Sequence, residues 1–283
     1  TIQTPVTPEG PLEVLGSAGR SDDFVVIGHS CTSLTRAEDE GCGGPGHPHA
    51  YTLTNEGQWH EIDLPDAEAA QRLGSVSYMQ ATNGRVAALA TFIGPNNASM
   101  HRLVSIQGAE WHDLGEATGQ PTDACMTDDT AYLLTRVTEG DDVLTSKTSW
   151  SLTAFPLDGK PPVPIELPEL SSAIGGAGVR FGCLPSGPVV ASTDPGSTGF
   201  VARFVDGRWR PVDVGFAAGD NEVVSSIISG RQGAILALTA LPKGTGPNTT
   251  TFTALDAEAH LTTLDQAQLS GRNLLWAGDT DTL

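Results

Sequence analysis

An all-β fold of repeated four-stranded sheets, a β-propeller, is predicted by three observations. The first is a recurring segment: Trp59-His60-Glu61-Ile62-Asp63-Leu64, Trp111-His112-Asp113-Leu114 and Trp209-Arg210-Pro211-Val212-Asp213-Val214. Trp59 and Trp111 are 52 residues apart, and Trp111 and Trp209 are 98 apart, close to two periods. Degenerate copies fall where that period requires them, at Lys160 to Leu167 and His260 to Asp265. The second is the run of short apolar or alternating stretches between turn residues, the pattern of strands and hairpins. The third is composition: 33 Gly and 19 Pro supply turns, and with only 6% aromatics the core must be built from Val, Ile, Leu and Ala. A period of about 50 residues in such a chain points to radially repeated sheets.

Each unit is expected to have an inner, second, third and outer strand. Unit two is the clearest. Ser75 to Ala81 is inner, the Asn83-Gly84 pair signals a hairpin turn, Arg85 to Ile93 is second, His101 to Ile106 third and Glu110 to Leu114 outer. Unit three continues with Ala131 to Val137, Trp150 to Phe155 and Val163 to Leu167. Unit four has Val179 to Cys183, Pro188 to Ser192, Phe200 to Val205 and Trp209 to Val214. Unit five has Glu222 to Ile228, Ala234 to Thr239, Thr249 to Ala254 and His260 to Leu264. Unit one has Phe24 to Gly28, Ala50 to Thr54 and Trp59 to Leu64. Its inner strand is either Leu12 to Gly16 or the C-terminal Asn273 to Asp279. The second choice would close the ring by pairing the chain ends and remove exposed sheet edges. Five blades is the economical count, and six, with a blade assembled from both termini, is the alternative. Residues 1–11 read as a Thr/Pro-rich linker, of the kind that follows a processed leader or lipid anchor, and 12–283 as a single propeller domain. The repeated outer-strand Trp is expected to fill the space between one blade and the next.

The formal net charge of −19 repels phosphate backbones and anionic membranes, which argues against nucleic-acid binding. No apolar run reaches the length of a transmembrane helix. Four cysteines are present. Cys125 and Cys183 occupy equivalent repeat positions, and Cys31 and Cys42 share one Gly- and acid-rich loop. The expected pairs are Cys31–Cys42 and Cys125–Cys183, which implies an oxidising compartment, extracellular or at the cell envelope.

Two groups of residues are candidates for chemistry. Acidic residues beside inner strands (Asp22, Asp23, Asp123, Asp128, Asp129, Glu222 and Asp279) could place carboxylates at one channel mouth. Such a set would bind Ca²⁺ or act as an acid/base pair on a glycan. Asp is equally a good turn residue, which is the plainer explanation of its recurrence. His29, His47 and His49 lie around the loop that holds Cys31 and Cys42 and could ligate Zn or Cu, although the spacings of structural zinc sites are absent. No P-loop, dinucleotide fingerprint or Gly-x-Ser-x-Gly elbow is present in a fitting context.

Ser192-Thr193-Asp194-Pro195-Gly196-Ser197-Thr198 resembles the Asp-box of sialidase-like propellers, with Gly199-Phe200 where that box has Trp. The resemblance implies a hairpin-stabilising element of a propeller, not a catalyst. The Phe-Arg-Ile-Pro start motif of sialidases is missing. In repeat architecture the whole chain resembles the secreted or lipid-anchored β-propellers of actinobacteria. The expectation is a non-catalytic binding or scaffold module of the cell envelope. Its face loops, Ser30 to Gly46 and Glu139 to Ser146, would meet a protein or glycan partner. The alternatives are a carbohydrate-active hydrolase or lyase with carboxylates at the channel mouth, and a metal-binding envelope protein.

Overall fold

The computed structural model describes residues 5–7, 10–19, 24–30, 46–66, 71–94, 96–139, 147–168, 179–192, 201–214, 222–230, 233–240 and 248–264. These residues form five antiparallel meander sheets in chain order, the architecture of a five-bladed propeller. The first sheet is β1 (Val6–Thr7), β2 (Gly10–Ala18), β3 (Val25–Ser30), β4 (Pro48–Leu53) and β5 (Trp59–Ile62). The second is β6 (Arg72–Thr82), β7 (Arg85–Ile93), β8 (Ser99–Gln107) and β9 (Glu110–Glu116). The third is β10 (Gln120–Met126), β11 (Thr130–Glu139), β12 (Lys147–Pro156) and β13 (Val163–Ile165). The fourth is β14 (Val179–Leu184), β15 (Gly187–Ser192), β16 (Val201–Val205) and β17 (Arg208–Pro211). The fifth is β18 (Glu222–Ser229), β19 (Gly233–Ala240), β20 (Thr249–Asp256) and β21 (Leu261–Thr263). No helix among the described residues is long and apolar enough to cross a membrane.

Gly10–Ala18 takes the inner position of the first sheet, and Val6–Thr7 adds a short strand outside it, within the stretch expected as a linker. Ring closure by Asn273 to Asp279, the Asp-box hairpin beyond Ser192 and the Cys31–Cys42 pair all fall outside the described residues. The chain divides into two compact units, residues 1–121 with 155–163, and residues 122–154 with 164–283.

In the first unit, β7 explains why a continuous apolar run can still be a strand. Val86 to Phe92 are all buried, so both faces of this second strand meet apolar neighbours and no polar alternation is left to read. Its hairpin from β6 turns at Asn83 and Gly84, both at positive φ (45° and 73°), as a tight two-residue turn requires. Trp111 of β9 packs into a cluster with Ile62, Val25, Leu73 and Ile106. A parallel bridge joins Asp63 to Glu110 alongside it, so the indole fills space between the outer strands of successive sheets.

In the second unit, Trp209 does the same work by another means. Its indole N–H donates to the Glu166 carbonyl at 2.7 Å, just beyond β13 of the preceding sheet, and its ring lies against Phe204. The inner strands of this unit are cross-linked to one another. A disulfide joins Cys125 of β10 to Cys183 of β14, with their Cα atoms 5.5 Å apart. The Cys183 N–H donates to Ser229 Oγ of β18 at 2.7 Å. Gly182 sits where any Cβ would collide with Ile227, so glycine permits this close approach of β14 to β18.

Because the disulfide closes a separation of 58 residues, its removal frees a large loop in the unfolded chain. The double variant Cys125→Ala/Cys183→Ala should lose about 3–4 kcal/mol of stability. Urea unfolding followed by tryptophan fluorescence checks this, and a midpoint equal to that of the oxidised wild type would contradict it.

Candidate functional site

The residues that combine chemistry with burial lie on the inner strands of the second unit. Asp123 stands in the middle of β10, two positions before Cys125. Its side chain is half-buried, and burial pushes its pKa up to about 6. The Ala124 N–H donated to its Oδ1 at 2.9 Å and the nearby Arg180 guanidinium pull the other way and do not cancel that effect. Desolvation therefore governs this carboxyl.

Arg180 is the second residue of β14, three positions before Cys183, and its side chain is exposed. Its Nε donates to the Ser225 carbonyl of β18 at 2.7 Å. That carbonyl is available because β18 carries a bulge between Val224 and Ser226, which takes Ser225 out of the ladder with β19. Ser225 is itself held. Its Oγ donates to the Ala237 carbonyl at 3.0 Å and accepts from Thr239 Oγ1 at 2.9 Å. Among the described residues the terminal Nη groups of Arg180 have no hydrogen-bond or ion-pair partner. The sequence offered one weak signal for this residue: Arg180 is the only basic side chain in the three strands Gln120–Met126, Val179–Leu184 and Glu222–Ser229.

The expected ring of carboxylates is not assembled by the described residues. Asp128 and Asp129 lie in the turn beyond the far end of β10, roughly 16 Å along the strand from Asp123 at about 3.3 Å per residue. Asp129 Oδ1 accepts the hydroxyls of Thr127 and Thr130 at 3.1 and 3.0 Å, which is the role of a turn residue. Asp123 is thus set apart from Asp128 and Asp129. Asp22, Asp23 and Asp279 lie outside the described residues, as does the side chain of Glu222, whose backbone opens β18.

The three candidate histidines lie on or beside neighbouring strands of the first sheet. His29 of β3 is opposite Pro48, and His49 of β4 is opposite Gly28. Directly opposed residues share a sheet face and successive residues alternate, so His29 points to one face and His49 to the other. His29 is buried with Nε2 3.7 Å from Glu13 Oε2. His49 Nδ1 lies 2.8 Å from Glu61 Oε1 and its ring stacks on Tyr51. Burial and the Glu61 charge push the Tyr51 pKa up to about 12, so this phenol stays protonated. His47 is exposed. Another trio, Asp256, Glu258 and His260, does bring three ligand atoms within 4.8 Å of one another. It forms the turn between β20 and β21, where Asp256 Oδ1 accepts the N–H groups of Glu258 and His260.

No protein-family model matches the chain. No curated protein matches it either. Several solved structures are similar in fold. A xylan β-1,4-xylosidase from Bacillus halodurans C-125 aligns over 96% of this chain and 61% of its own, with 14% identity and a TM-score of 0.37. Native arabinanase from Bacillus subtilis aligns over 87% and 98%, with 12% identity and a TM-score of 0.30. A DUF4623 family protein from Bacteroides eggerthii DSM 20697 aligns over 85% and 54%, with 10% identity and a TM-score of 0.38. This chain thus spans less than two thirds of the xylosidase and of the DUF4623 protein. The likeness is one of fold, and the activities are those of the named proteins. The expectation of a non-catalytic scaffold gives way to its carbohydrate-active alternative, a reading that rests on this chain's own residues, since likenesses at TM-scores of 0.37 and 0.30 carry neither the xylosidase nor the arabinanase activity over to it.

The raised pKa of Asp123 has a consequence for stability. The folded protein holds the Asp123 proton more tightly than the unfolded chain, whose carboxyl titrates near 3.8. Between about pH 4 and 6 the native state binds more protons, so this residue's contribution falls as pH rises through that window. Asp123→Asn should remove this slope and raise stability at pH 7 by about 2–3 kcal/mol. Urea unfolding of both proteins at pH 4.5 and 7 reads it. A variant less stable than wild type at pH 7 would show that the Asp123 charge is stabilised instead.

Proposed function

We propose that this chain is a carbohydrate-active hydrolase in which Asp123 transfers a proton at a glycosidic oxygen. The observation that carries this reading is a carboxyl kept half-buried on an inner strand, with a pKa raised to about 6, near an arginine whose terminal nitrogens have no hydrogen-bond or ion-pair partner among the described residues. A purely structural aspartate there would weaken the fold at neutral pH for no return. Titratable groups held away from their ordinary pKa concentrate at functional sites. A carboxyl near pH 6 suits general acid catalysis, since it still carries a proton in mildly acidic solution and gives it up readily.

In the proposed step, the Asp123 carboxyl gives its proton to the leaving glycosidic oxygen as the bond to the anomeric carbon breaks. Water supplies the hydroxyl that bonds to that carbon. Its remaining proton goes to a second carboxylate, and exchange with solvent restores both groups. The Cys125–Cys183 disulfide supports an extracellular or cell-envelope location for this activity.

The test is release of reducing ends, without a new carbon–carbon double bond, from a panel of plant and bacterial polysaccharides. The expected activity falls as pH rises above about 6, because the protonated form is the active one. Asp123→Asn should lower kcat/KM at least about 100-fold at every pH and abolish that limb. Unchanged turnover by Asp123→Asn, or no turnover of any glycan, would overturn the reading.

A further inference from the structure

We infer that Arg180 is an anion-binding residue that selects sugars bearing a carboxylate, so that the substrates of the Asp123 site are uronate-containing glycans. The inference rests on the glycan-cleaving reading above and names the substrate class of that same site.

Three observations carry it. The guanidinium is oriented in advance. Its Nε is tied to the Ser225 carbonyl at 2.7 Å, and Ser225 is fixed by Ala237 and Thr239. With the stem and Nε committed, the remaining Nη edge is held in one direction at little further entropic cost on binding. The edge is also unused by any described residue. The side chain is exposed, and no described carboxylate pairs with it, although Asp123 is close enough to feel its charge. Finally, the chain carries 34 acidic and 15 basic residues, so its overall field repels anions. An anionic sugar reaches this site only if a local cation offsets that field. A neutral sugar needs no such residue, since hydroxyls are satisfied by uncharged donors and acceptors. The planar guanidinium edge matches a carboxylate with two parallel N–H···O bonds, which an ammonium cannot reproduce.

A role for Arg180 confined to holding β14 against β18 would need only the Nε bond to Ser225. The two roles are therefore separable. The experiment is calorimetric titration of the full chain in the Asp123→Asn background, which prevents turnover, with tetragalacturonate and with the same oligosaccharide reduced at its carboxyls to neutral sugars. The expected result is at least tenfold tighter binding of the uronate form. Arg180→Gln should erase that preference while leaving the weak affinity for the reduced form unchanged. Arg180→Lys should keep part of the preference, because charge survives and the two-toothed geometry does not. Equal binding of the two oligosaccharides, no binding of either, or an equal loss of both in Arg180→Gln would overturn the inference. If the uronate preference fails while Asp123→Asn still abolishes cleavage of neutral glycans, the hydrolase reading stands alone. If the preference holds while Asp123→Asn cleaves as well as wild type, the anion site stands and the assigned proton donor falls. Thermal unfolding of each Arg180 variant separates lost binding from lost fold.

Discussion

Close contact between successive inner strands is the constraint on which the second unit depends. Four-stranded meanders bury their middle strands well, as the fully buried Gly187–Ser192 strand shows. Inner strands are harder to secure, because each has a hydrogen-bonded neighbour on one side only. Here that exposed edge is tied across sheets by the Cys125–Cys183 disulfide, by the Cys183 N–H to Ser229 Oγ bond and by Arg180 to the Ser225 carbonyl. The absence of a side chain at Gly182 lets β14 approach Ile227 closely enough for these links to form. Remove the approach, and the bulged Ser225 carbonyl and the Arg180 guanidinium lose each other.

The same arrangement creates the chemistry. A bulge is a local cost to the ladder, and in β18 it exposes one carbonyl, which orients one arginine. The disulfide fixes the strand on which Asp123 lies close to the strand that carries Arg180. The carboxyl is consequently set in a place dry enough to raise its pKa, with a cation near enough to moderate the rise but not to reverse it. Structural and functional roles are shared by the same few residues: Arg180 bridges two strands with Nε and offers its Nη edge outward.

The acidic residues that looked equivalent in sequence separate into two kinds in space. Asp129 organises a turn through the hydroxyls of Thr127 and Thr130 and contributes nothing to Asp123. Asp256, which is not one of that set, caps another turn through the N–H groups of Glu258 and His260. Of Asp123, Asp128 and Asp129, Asp123 alone lies within a strand and is short of solvent, and this difference in environment, not residue type, distinguishes it. His29 and His49 are separated for a comparable reason. One residue of offset between neighbouring strands reverses the face, so proximity in sequence around one loop did not become a shared ligand set.

The repeat period, the turn pairs and the apolar runs determined the strand order and the five-sheet architecture, because each is a local property: chain reversal at Asn83-Gly84, the alternation of faces and the spacing of Trp59, Trp111 and Trp209 need no knowledge of distant contacts. The Cys125–Cys183 pair was legible for the same reason, since equivalent positions in successive repeats come to lie side by side. The Gly10–Ala18 inner strand was only one of two readings, because strand pairing across the chain is a choice between distant segments. What only tertiary structure decided is which carboxyl is desolvated and which cation is aimed. Burial of Asp123 and the tether of Arg180 to Ser225 depend on how three inner strands, contributed by residues roughly a hundred positions apart from first to last, pack against one another. No local pattern encodes that distance.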